Sequence, residues 1–217
     1  PICPMKKLYF ALLVFLSVCT ANSAFGQSIS IGSFNTGTYA RGSSITVPIN
    51  LSGIFNTNEK FEMWLSDASG NFSPGTKIGE YQGFYSTFVN GVLPSSAADG
   101  TAYRIQIRST STTLTSNVTN ITNAFSIQGS QAVIAKLKAS NGTEFRTNEI
   151  FGNCSAGLTY IDFADLSTLG SVRTVNIKNE ITGVVGPTFS SSDVYTIDPL
   201  AKAHYTITIT AVKDGIL

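Results

Sequence analysis

The chain has 217 residues, 42% of them hydrophobic and only 12% charged, with 14 Lys and Arg against 13 Asp and Glu. A balance this near neutral, with no clustered basic face, argues against a nucleic-acid partner. The charged fraction is under half the ~25% usual for globular domains, so Ser, Thr, Asn and Gly fill the surface instead.

The chain opens with a processing pattern. Met5-Lys6-Lys7 is a short basic stretch, Leu8 to Val18 is an apolar run broken only by Ser17, and Ala24-Phe25-Gly26 is a small-residue exit before Gln27. Residues 1–26 therefore read as four upstream residues followed by a secretory signal peptide. The apolar run is too short for a membrane span, which needs about 20 residues, and the mature part shows no transmembrane span. Two other readings stay open: an N-terminal core helix, or a lipobox at Leu16-Ser17-Val18-Cys19, where Val18 is bulkier than that motif favours. Cleavage before Gln27 removes Cys3 and Cys19, leaving Cys154, and removes Lys6 and Lys7, so that 12 basic residues face 13 acidic ones.

Beyond Gln27, short β-branched and aromatic runs alternate with polar residues between Gly, Asn, Asp and Pro, which predicts an all-β fold of sandwich type. In 27–129, Ile29, Ile31 and Phe34 start the unit. Ile45, Val47, Ile49 and Leu51 then share one face, and Pro48 on the other predicts an edge strand or a bulge, because proline cannot donate to a ladder. Phe61, Met63 and Leu65 form the next buried stripe, which sends Trp64 outward beside Glu62. Ser66 to Gly75 is turn-rich. Strands follow at Thr76 to Tyr81, Tyr85 to Leu93, Tyr103 to Ile107 and Phe125 to Ile127, about seven in all, the count of an immunoglobulin-like sandwich.

The second unit, 130–217, predicts strands at Val133 to Leu137, Leu158 to Phe163, Val172 to Ile177, Val194 to Ile197 and Tyr205 to Ile209. Tyr205, Ile207 and Ile209 share one face, with His204, Thr206, Thr208 and Thr210 on the other. One strand is missing from a complete sandwich, so 130–217 reads as an incomplete second domain of a longer protein.

The sequence offers little for chemistry. The single histidine, His204, stands among threonines, and no G-x-S-x-G elbow marks a nucleophile. Zinc needs about four His, Cys or acidic ligands, so no catalytic residue, metal ligand or cofactor is assigned. Asp162 and Asp165 fall on opposite faces near a strand end, with Asp165 capping a turn. Asp67 and Asn71 read as turn residues ahead of a calcium loop, which would show alternating acidic ligands. Trp64 is the one candidate ligand contact, because an outward indole stacks on a sugar ring or on a neighbouring domain.

The stretches LPSSAADGTAYRIQIRS (93–109), FEMWLSDASGNF (61–72) and ITVPINLSGIFN (45–56) together resemble immunoglobulin-like repeats of large secreted surface proteins of Gram-negative bacteria, many of which carry a type IX sorting domain. FGNCSAGLTYIDF (151–163) and YTIDPLAKAHYTITITAVKDG (195–215) are similar to the PKD-like or immunoglobulin-like repeats that follow in such proteins. The resemblance implies a tyrosine corner at Tyr103, with Asp99 and Gly100 in the turn before it, and a structural place for Tyr205. It also implies a disulfide from Cys154 to a cysteine at or just beyond Leu217, with a buried free thiol as the alternative. By function it implies a non-enzymatic adhesin-like segment, secreted to the outer cell surface, whose modules act as spacers or bind a protein or glycan. Accessory, carbohydrate-binding modules of a secreted hydrolase are the other reading.

Overall fold

In a computed structural model of the chain, the described residues are 27–110, 120–139, 143–146, 149–151, 161–180, 194–197 and 204–217. The signal segment 1–26, Cys154 and the first half of the strand expected at Leu158 to Phe163 lie outside them. What is described is all β and sandwich-like, with no helix long and apolar enough to cross a membrane.

Residues 27–129 supply β1 (Ser28–Ile31), β2 (Thr38–Tyr39), β3 (Ser44–Ser52), β4 (Lys60–Leu65), β5 (Thr76–Gln82), β6 (Thr87–Val92), β7 (Gly100–Tyr103), β8 (Ile105–Ser109) and β9 (Phe125–Ile127). Six of them form a sheet in the order β1-β3-β6-β5-β4-β8, and β2-β9-β7 form a second. The alternation in the sequence fixes the inner faces: Val47, Phe61, Met63, Ile105 and Ile107 are fully buried in one apolar cluster. Each such side chain contributes roughly 1.5–3 kcal/mol of transfer free energy.

The layout departs from the expected count of about seven strands, for two local reasons. First, β5 meets β6 at the pair Gly79 and Gly91. A Cβ on Gly91 would stand 2.6 Å from both the Ile78 carbonyl oxygen and Met63 Cε, and one on Gly79 would collide with the Asn90 carbonyl. Only paired glycines let the strands approach, and their contact joins two groups of strands into one sheet. Second, β7 and β8 are one chain run that changes sheets at Arg104. Ser66 closes the gap there: its hydroxyl accepts from the Arg104 N–H at 2.9 Å, and its own N–H donates to the Arg104 carbonyl at 3.0 Å.

The expectation for Pro48 needs correcting, because β3 is an interior strand paired with both β1 and β6. Pro48 accepts from the Gly32 N–H at 2.9 Å, one residue past the end of β1. The donation that Pro48 cannot return falls where that ladder has already stopped, so the strand carries a proline without an edge.

The rest supplies β10 (Leu137–Ala139), β11 (Thr143–Arg146), β12 (Glu149–Phe151), β13 (Ile161–Asp165), β14 (Val172–Asn179), β15 (Val194–Ile197) and β16 (Tyr205–Val212). They pair as β10-β13-β15, β11-β12 and β14-β16. A second apolar cluster of Phe163, Val175 and Ile177 receives Tyr205, Ile207 and Ile209 from one face of β16.

The strand expected from Val133 begins only at Leu137. Between them the backbone is bonded alternately to two sets of hydroxyls. Val133 and Ala135 donate to Ser43 and Ser44 at 2.9 and 2.8 Å, while Ile134 and Lys136 donate to Thr168 and Ser167 at 2.8 and 3.0 Å. Side-chain oxygens stand where ladder carbonyls would, which satisfies the extended backbone without making it a strand.

Candidate functional site

The outer face of β4, β5 and β8 carries a connected network of charged and amide side chains around Trp64. Phe61, Met63 and Leu65 are 0%, 0% and 2% exposed, so alternation turns Glu62 and Trp64 away from the core. Trp64 pairs across the sheet with Gln106 on one side and Lys77 on the other, and Glu62 pairs with Arg108 and Glu80.

A bulge makes this face. Met63 opposes Gly79 but Trp64 opposes Lys77, so Ile78 is an extra residue in β5. The insertion reverses the parity of the strand beyond it. Ile78 packs against the core, and Lys77 comes round to the side that carries Glu80. This resolves a conflict, because like charges directly opposite on neighbouring strands repel. Lys77 Nζ donates to Glu62 Oε1 and to Glu80 Oε2, both at 2.7 Å, and Lys60 reaches Glu80 from the other side at 3.4 Å. The Lys77 ammonium holds the Glu62 and Glu80 carboxyls below their ordinary value of 4.5, and Glu62 in turn raises Lys77.

Both Glu62 oxygens then accept a bond, since the second accepts from Trp64 Nε1 at 3.0 Å. Arg108, although directly opposite Glu62, forms no ion pair among the described residues. Its Nε donates to Gln106 Oε1 at 2.9 Å, and its guanidinium carbon lies 4.3 Å from the Trp64 ring centroid. The stack is a diagonal cross-strand contact of the cation–π kind. Trp64 faces outward, and it is half-buried under Arg108 rather than bare.

The other candidate residues hold the framework. Tyr103 is 3% exposed, and its hydroxyl donates to the Ala98 carbonyl at 2.7 Å, the tie-back geometry of a tyrosine corner. Asp99 Oδ1 accepts from Arg41 Nη1 at 2.9 Å and from the Gly129 N–H at 3.1 Å, pinning two loops. Gly100 lies so close to Ala68 that a Cβ would come within 2.8 Å of the alanine methyl. Tyr205 packs on the second cluster, remote in sequence from Trp64.

His204 is exposed just ahead of β16, with its ring edge-on to Tyr85 at 5.3 Å between centroids. Asp165 Oδ1 accepts from the Ser167 N–H at 2.8 Å, and Oδ2 pairs with Arg173 Nη1 at 2.9 Å. Asp67 Oδ1 accepts from the Ser69 and Asn71 N–H groups at 2.9 and 2.8 Å, so the carboxylate is used within its own turn. Among the described residues no three His, Cys, Asp or Glu side chains converge to hold a metal ion.

The sequence alternation places Trp64 and Glu62 together but misses Arg108, Gln106 and Lys77. The first two need the β4–β8 register, and Lys77 needs the bulge. No protein-family model matches the chain, and no curated protein matches it.

Proposed function

We propose that the chain is a non-enzymatic segment of a secreted, cell-surface, adhesin-like protein. Four upstream residues and a signal peptide occupy 1–26, and two tandem immunoglobulin-like sandwiches occupy 27–129 and 130–217, the second of them incomplete. Two clusters of buried apolar residues support that division, the larger formed by residues from 29 to 127 with Leu217 packed against it, and the smaller centred on 163–177. The bonds from Asp99 to Gly129 and from Ser43 and Ser44 to Val133 and Ala135 would then make the linker a fixed bracket, suited to a spacer.

The observation that carries a binding role is the Trp64 face. An aromatic ring amid aligned donors and acceptors on a rigid sheet serves neither the core nor the turns. It suits an extracellular protein or glycan as partner. The same face suits an accessory carbohydrate-binding module of a secreted hydrolase, a reading that a catalytic domain in the same reading frame would favour. Protease shaving of intact producing cells tests localisation. Peptides from 27–217 should be released from unbroken cells. Protection until lysis would reject the surface reading.

A further inference from the structure

We infer that the Trp64 face takes an acidic saccharide, one whose sugar rings carry carboxylates. The inference rests on reading that face as a recognition surface and adds the chemical class of its ligand. Three features carry it. Each carboxylate oxygen of Glu62 already accepts one bond, from Lys77 at 2.7 Å and from Trp64 at 3.0 Å, and Arg108 forms no ion pair with it. Arg108 spends its Nε on Gln106, and its two terminal nitrogens meet no carboxylate among the described residues. The guanidinium lies over the only tryptophan in the chain, at 4.3 Å.

A terminal guanidinium fork matches a carboxylate with two parallel charge-assisted hydrogen bonds. In a uronic acid that carboxylate is attached to the ring itself, beside an apolar C–H face. Its arrival draws Arg108 off the indole, and the sugar face takes the vacated place on Trp64. The ring hydroxyls then lie among Gln106, Lys77 and Glu80, which supply donors and acceptors on the same side of the sheet. A neutral sugar has nothing to displace Arg108. An acidic peptide satisfies the fork but brings no C–H face to the ring. Peptides added as strands also engage sheet edges rather than faces.

Because Trp64 is the sole tryptophan, its fluorescence reads this site alone. The probes are an oligogalacturonide, its methyl ester and polyglutamate, each titrated into the purified chain. A saturable, salt-sensitive change is expected with the acid. Binding should weaken about tenfold or more for the ester and for Arg108→Gln, because losing even one of the two charge-assisted hydrogen bonds is worth about that factor. Arg108→Lys should rescue only part of it, since the fork is gone.

Should Arg108→Gln unfold, the acid and ester compared on the unchanged chain still decide. Equal binding of acid and ester overturns the charge inference but keeps the face as a recognition surface. An equal response to polyglutamate overturns the saccharide class. No response to any probe overturns the inference outright, while surface localisation is judged separately by shaving.

Discussion

The Tyr103 hydroxyl donates to the carbonyl of Ala98, five residues upstream, at 2.7 Å, and so fixes the corner from which β7 leaves toward Arg104. Tyr103→Phe keeps the ring in the core and deletes only this bond. It should cost about 1 kcal/mol, the net value of one hydrogen bond, with the partner carbonyl left unsatisfied. Urea unfolding checks this, and the slope should stay unchanged because the folded surface does.

Gly91→Ala tests the junction between β5 and β6. The new methyl would sit 2.6 Å from a backbone oxygen and from Met63 Cε, and the strand cannot yield without losing its pairing. A loss of about 2 kcal/mol or more is expected, at or beyond the usual cost of overpacking. A loss under about 0.5 kcal/mol, typical of neutral surface changes, would show that the strands are not in contact there.

Ser43 has no exposed surface, and its hydroxyl accepts from the Val133 N–H at 2.9 Å. Ser43→Ala leaves that N–H without its partner, at about 1–3 kcal/mol. Amide exchange is the sharper measurement: protection at Val133 should fall while protection at Met63 in β4 persists.

Asp165 has a fully buried side chain paired with Arg173, whose own side chain is 16% exposed. Asp165→Asn keeps an oxygen for Ser167 but strands the guanidinium, and should cost toward the lower end of the ~3–5 kcal/mol for breaking a buried pair. If 27–129 and 130–217 are separate domains, the early unfolding seen by circular dichroism should leave Trp64 fluorescence native. A single shared transition would reject the division.

Glu62 and Glu80 are held below 4.5 chiefly by Lys77. A carboxylate depressed in the folded state stabilises fully above its unfolded value, and that contribution disappears as pH falls through the folded one. Melting temperature should therefore decline from about pH 4.5 downward, and Lys77→Met should flatten the decline. The groups are partly exposed, so the effect is small and salt-screened. An unchanged acid limb in Lys77→Met would contradict the network.

Much of the fold is legible in the sequence because burial follows parity. Phe61, Met63 and Leu65 on one side, with Glu62 and Trp64 on the other, need only the two-residue period of a strand. The change of sheet at Arg104 is invisible there, since Tyr103, Ile105 and Ile107 continue one alternation through it. Pro48 misleads for a related reason: its missing donor matters only if a neighbour is present at that register, and β1 ends one residue too soon. β2, β11 and β12 are too short or too polar to show a period. At the site, the register that brings Arg108 to Trp64 and the bulge that turns Lys77 outward are both tertiary facts. Each depends on how strands align, which a single strand does not encode.

The claim that the outer face around Trp64 takes an acidic saccharide is tested most directly by the indole N–H resonance of Trp64, a single peak in this chain. An oligogalacturonide added to labelled protein should shift that peak together with the side-chain signals of Arg108 and Gln106. An unmoved Trp64 peak, or shifts confined to another surface, would contradict it.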